Sequence, residues 1–161
     1  MVPELRAKIS LRNPLHFLGV GFGSGLIPFM PGTMGSIAAI PLVILASFLS
    51  VELYIGLTLL ACVIGIQICG KTADALGVHD HGAIVWDEVA GMLITFLFVP
   101  ATVTSVIVGF LLFRVFDIAK PWPISFLDKH VHGGLGIMLD DIIAGAMACV
   151  CLHVILFYWP F

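Results

Sequence analysis

The last twenty residues, 142–161, carry no charge, and two adjacent carboxylates stand directly before them in the run Ile137-Met138-Leu139-Asp140-Asp141-Ile142-Ile143-Ala144-Gly145. A helix of about twenty apolar residues is long enough to cross a bilayer. The acid pair is therefore expected at the mouth of a membrane span, where charged groups are costly and are kept for pairing, ion binding or chemistry. One acid could cap that helix and complement its dipole. Capping has no use for two.

The rest of the chain has the same character. Of its 161 residues 60% are hydrophobic and 11% charged, against roughly 25% charged in soluble domains. The length suits one domain spanning residues 1–161, and the composition is that of an integral membrane protein. A net charge of −3 without any basic run argues against nucleic acid as a partner. Cys62, Cys69, Cys149 and Cys151 lie in apolar runs without the spacing of a zinc or redox site, so they read as small packed hydrophobes. Residues 1–12 form a basic, polar segment expected on the cytoplasmic side; no cleavage site follows a short apolar core, as it would in a signal peptide.

Charges gather in clusters at 4–12, 71–88 and 114–141, with a lone Glu52, leaving uncharged stretches at 13–51, 53–70, 89–113 and 142–161. The pattern predicts an all-α, polytopic protein of about five to six helices. Residues 14–27 read as a short helix at or dipping into the membrane, and 29–36 as a Pro/Gly turn. Helices are then expected from about 36 to 50, 53 to 76, 87 to just before Pro100, 102 to 119 and 136 to 158. A short amphipathic helix is expected within 123–131. Glu52 is expected to mark a tight reversal, and residues 77–84 a polar connection. Hairpins turning at Glu52 and Pro100 bring all three charged clusters to one side, and Lys and Arg assign that side to the cytoplasm.

Four places on that face could carry chemistry. Asp87 and Glu88 open a helix, where they could also serve only its dipole. Arg114, Asp117 and Lys120 recur at a spacing of three, which places them close together on a helix surface, either as a working group or as a salt-bridged ladder. Asp140 and Asp141 are the third place. The fourth is Pro31-Gly32-Thr33-Met34-Gly35-Ser36, a turn opening a helix whose backbone N–H groups could cradle a phosphate. Five carboxylates, two cations and an anion-friendly turn together suit Mg²⁺, which takes oxygen ligands and bridges to substrate phosphate. Arg and Lys would steady phosphoryl oxygens. The constellation points to metal-assisted phosphoryl chemistry. His79 and His81, flanking Asp80, and likewise His130 and His132, read as solvated loop residues. His16 and His153 read as interfacial or packed side chains. Trp122, Tyr158 and Trp159 fit an interfacial aromatic belt.

These runs, together with Val78-His79-Asp80-His81-Gly82 leading to Trp86-Asp87-Glu88, and Phe113-Arg114 through Lys120-Pro121-Trp122-Pro123-Ile124, resemble the phosphatidylglycerophosphatase A family of Gram-negative bacteria, in matching order from about residue 13 to 145. The resemblance implies a multi-pass inner-membrane phosphatase, with its site on the cytoplasmic side, hydrolysing the terminal phosphate of phosphatidylglycerophosphate with Mg²⁺. On this reading Asp87, Glu88, Asp117, Asp140 and Asp141 are expected to position one or two Mg²⁺ ions and to take part in catalysis together with Lys120, the division into ligand, general base and carboxylate nucleophile being left open. Thr33, Gly35, Ser36, Arg114 and Lys120 would bind substrate. The lipid's identity comes from the resemblance alone. Asp-Gly-x-x-Ala-Arg, Pro-Ser-Gly-His and Asp-x-Asp-x-Thr/Val, the signatures of three other phospholipid or phosphatase classes, are absent. Two other classes compete: a small transporter relaying ions through intramembrane carboxylates, and an assembly subunit with structural salt bridges. The oligomeric state is left open.

Overall fold

The computed structural model describes residues 7–78 and 81–159, and among these it contains helices and no strand. Helix α1 (Pro14–Gly19) passes through a 3-10 segment (Gly21–Leu26) to α2 (Pro31–Ala46). Then follow α3 (Val51–Leu76), α4 (Trp86–Thr95), α5 (Val103–Ala119), α6 (Ile124–His130) and α7 (Gly133–Tyr158). At 1.5 Å per residue, the 26-residue α3 and α7 each run about 39 Å, enough to cross a hydrocarbon core of about 30 Å. They are the two helices of the described residues long and apolar enough to do so. The ten residues of α4 reach only about 15 Å.

The outer surface supports membrane association. On α5, Val103, Ile107, Leu111, Val115 and Ile118 are each more than half exposed and recur at helical spacing. This apolar stripe faces outward, the reverse of a water-soluble helix. Inside, α4 is the hub: eight consecutive residues, Trp86 to Leu93, are buried, the two acids included. It packs against α7, α3 and α2. Hydrogen bonds to α3 hold both of its ends: Trp86 Nε1–H donates to Ala61 O (3.1 Å) and Tyr54 O–H to Leu93 O (3.0 Å). Between α3 and α7, the Cys69 Sγ lies 3.7 Å from Met138 Sδ. All four cysteines are free.

Several boundaries depart from the sequence expectation. Helix α2 begins at Pro31, so 31–36 is its first turn and a half rather than a separate turn; proline at the first helical position is already set for the helix. It also stops at Ala46, four residues early. Glu52 does not mark the reversal. It lies in the first turn of α3, which Ser50 caps by accepting from Leu53 N–H, and the chain turns at 47–50. Helix α4 ends at Thr95 rather than near Pro100, because tighter bonds from Leu97 N–H to Ile94 O and Val99 N–H to Phe96 O unwind its end. Helix α7 starts at Gly133, one turn earlier than expected, with Gly134 backed against Ile66 and Gly70 of α3. His79, Asp80, Glu4 and Arg6 lie outside the described residues.

Candidate active site

Asp87 and Glu88 occupy the first turn of α4, where the helix dipole favours them. Asp140 and Asp141 do not sit at a helix end. No acid lies in the first turn of α7, and the pair falls about two turns inside it, buried. This removes the capping explanation. One carboxylate oxygen from each of Asp87, Glu88 and Asp141 lies within 4.8 Å of the others.

Two glycines bring these acids together. Gly91 and Gly145 each follow an acid by four residues, Asp87 and Asp141, and so share its helix face one turn further on. A Cβ on Gly145 would stand 2.5 Å from the Gly91 carbonyl oxygen, and one on Gly91 would stand 2.9 Å from the Asp141 carbonyl. The backbones of α4 and α7 thus touch one turn away from the carboxylates. No side chain larger than hydrogen would permit that approach.

The remaining predicted residues divide between two neighbouring arms. On the first, Arg114 Nη1 pairs with Asp117 Oδ2 at 2.5 Å and lies 3.9 Å from Glu88 Oε1. It also donates to Ser36 Oγ (3.3 Å), whose own hydroxyl donates to Gly32 O (2.9 Å). The Asp117 carboxyl in turn meets that of Asp141. On the second arm, Lys120 leaves the expected ladder. As C-cap of α5, in a left-handed conformation, it turns its ammonium to Asp140 Oδ2 (2.6 Å) and to Asp128 Oδ1 (2.8 Å). The arms meet at the α7 pair, where Asp141 N–H donates to Asp140 Oδ1 (3.2 Å).

The start of α2 faces this cluster. A Cβ on Gly32 would stand 2.5 Å from Glu88 Oε1 and 3.4 Å from the Arg114 guanidinium. No side chain caps α2, so its first N–H groups face the cluster as donors for an anion. Thr33 is half-buried there, whereas Gly35 is buried against Val85 and serves helix packing. His81 Nδ1 accepts from Ala83 N–H within its own turn, and His130 is exposed beside Phe126 O.

Negative charge is crowded in the cluster. Burial, with the charges of Asp87 and Asp141, pushes the Glu88 carboxyl well above the ordinary range. Glu88 Oε2 and Arg114 Nε are buried without a hydrogen-bond partner among the described residues. An all-carboxylate donor set with such an oxygen in it fits a hard divalent ion such as Mg²⁺. For Lys120, burial pulls its pKa down, but the bonds to Asp128 and Asp140 outweigh that and hold it above its usual value.

Sequence reasoning missed Gly91, Gly145 and Asp128, and placed Gly32 only in a phosphate-cradling turn, not against Glu88. The three glycines are legible in principle, as glycines near or one turn from proposed ligands. Asp128 is not, because it reaches Lys120 from a separate helix.

An apolar helical bundle that buries charged groups at one end belongs to the class of membrane-associated proteins that keep such groups for binding or chemistry. Residues 17–156 match the family model for phosphatidylglycerophosphatase A, and the chain belongs to that family. It is 49% identical over 156 residues to phosphatidylglycerophosphatase A of Escherichia coli, covering 96% of this chain and 91% of that one. It is 47% identical to the Haemophilus influenzae protein of the same name, covering 94% of each. A Bacteroides thetaiotaomicron protein provisionally named a phosphatidylinositol-3-phosphatase is 36% identical over 152 residues, 85% of this chain and 90% of that one. No solved structure matches the chain significantly.

Proposed function

We propose that this chain is a Mg²⁺-dependent phosphatidylglycerophosphatase, acting as a single catalytic unit in the bacterial inner membrane. It removes the terminal phosphate of phosphatidylglycerophosphate, as the names of its relatives indicate. The observation that carries the metal-dependent reading is the buried triad of Asp87, Glu88 and Asp141, with ligand oxygens within 4.8 Å.

These three residues would hold the ion, with Asp117 and Asp140 beside them. Bound there, Mg²⁺ supplies Lewis acidity and neutralises phosphoryl charge. The protein's own part is to place the monoester. Arg114, fixed by Asp117 and Ser36, and Lys120 take phosphoryl oxygens, and the first N–H groups of α2 add neutral donors. A water attacks phosphorus in line and gives up its proton to a carboxylate of the cluster. The bond from phosphorus to the glycerol oxygen breaks, that oxygen takes a proton, and phosphatidylglycerol and inorganic phosphate result. The diacylglycerol part remains in the lipid beside the exposed apolar stripe of α5. The chain crosses the membrane more than once, with the cluster on the cytoplasmic side, in keeping with the Lys and Arg distribution.

Phosphate release from phosphatidylglycerophosphate in mixed micelles tests this reading. We expect turnover with Mg²⁺, loss with EDTA and recovery on adding Mg²⁺ back. Turnover indifferent to EDTA would remove the metal from the scheme.

A further inference from the structure

The short helix α6 plays no part in the scheme above, yet it sends one carboxylate to the site. Asp128 Oδ1 accepts from Lys120 Nζ at 2.8 Å, while Asp140 Oδ2 accepts from the same nitrogen at 2.6 Å. We propose that Asp128 is a positioning residue, which with Asp140 holds the Lys120 ammonium ready for the phosphoryl group. The proposal rests on the phosphatase reading and deepens it.

Three observations support it. The base of the lysine is fixed: Lys120 caps α5 with φ +41°, its N–H donates to Phe116 O (2.9 Å), and Pro121 follows. Its four-carbon stem is not fixed, and a lysine held by one carboxylate keeps much of its rotamer freedom. A second carboxylate from a different helix removes it. The ammonium has three N–H donors; two are taken by Asp128 and Asp140, and the third is left for an oxygen of the substrate.

The exposures separate this role from a purely structural one. The Asp128 side chain is 38% exposed, against 11% for Asp140. An ion pair so open to solvent adds little to stability. Ile124, buried completely, already anchors α6. A tether alone would thus be nearly silent when removed. A positioning group would not be, because a lysine that must be ordered during the reaction stabilises the transition state less.

The test compares Asp128→Ala, Asp128→Glu, Lys120→Met and the double variant Asp128→Ala/Lys120→Met, by phosphate release from phosphatidylglycerophosphate with saturating Mg²⁺ and by thermal unfolding. We expect Asp128→Ala to lower kcat about tenfold, with KM within about twofold and Tm within about 2 °C of the parent. Asp128→Glu should recover most of the loss. In the Lys120→Met background Asp128→Ala should cost nothing further, since the residue acts through the lysine. An unchanged kcat in Asp128→Ala overturns the proposal. So does an equal further loss in the double variant, or a loss that follows Tm and is not recovered by Glu. Absence of turnover in the parent protein would overturn the phosphatase reading itself, a different result from any of these.

Discussion

Helix α4 has two faces, and they are built on opposite rules. Asp87, Glu88 and Gly91 look toward α7 and α5, where backbones meet and charged groups crowd together. Trp86, Val89 and Leu93, at helical spacing on the other side, floor a cleft of about 400 Å³ between α2 and α3. Leu42, Ala46, Leu57 and Leu60 are among its walls, all apolar, and the one indole N–H at its floor is already bonded to Ala61. The acid face is tight because three carboxylates must be held within a few ångströms against their mutual repulsion. The cleft face has nothing to hold in register and can remain open. In a helix of ten residues, precision is concentrated on the side that carries the charges.

The contrast can be broken most severely at the crossing. Gly145→Leu would drive α7 away from α4 by the width of a side chain. It should abolish phosphate release and destabilise the fold by about 3 kcal/mol or more, read from turnover and thermal unfolding in detergent. Asp141→Asn sharpens the comparison by removing one charge and keeping the packing. We expect kcat to fall about a thousandfold, the scale of losing an electrostatic group at a reacting centre. Added Mg²⁺ should raise Tm in the parent, as a ligand of the folded state does, and leave Tm of this variant unmoved. Unchanged activity in Asp141→Asn would dissolve the triad as a metal site. The smallest effect belongs to the cleft: Leu60→Ala, at a position 56% exposed, should change stability by about 0.5 kcal/mol or less and leave kcat/KM as it was. A large loss there would mean that the open face takes part in turnover after all.

Charge patterning alone is enough to pick out the carboxylates that the fold brings together. In a chain so poor in ionisable groups, the positions of Asp87, Glu88, Asp117, Asp140 and Asp141 are conspicuous, and the fold gathers all five around one end of the bundle. How they divide is not legible. A spacing of three joins Lys120 to Arg114 and Asp117 only on a helix that continues. This helix ends at Lys120, and its left-handed backbone turns the lysine toward α6 and α7 instead. At the start of α2, Pro31 and Gly32 are turn formers; the same proline is equally suited to begin a helix, and only the packing of Gly32 on Glu88 distinguishes the two. The early start of α7 likewise depends on the close approach of Gly134 to α3, a tertiary contact that leaves no periodicity in the sequence.

The contact of Cys69 with Met138 has a chemical consequence. This thiol is sealed between α3 and α7, with no exposed surface, while Cys62, Cys149 and Cys151 are partly accessible. A maleimide or similar alkylating reagent should therefore reach three cysteines in the closed bundle and the fourth only when the two long helices separate. The protein carries its own label for an opened bundle, at a thiol that backs onto Asp87 of the acid cluster, and a single mass spectrum would tell a variant that has lost its reaction from one that has lost its fold.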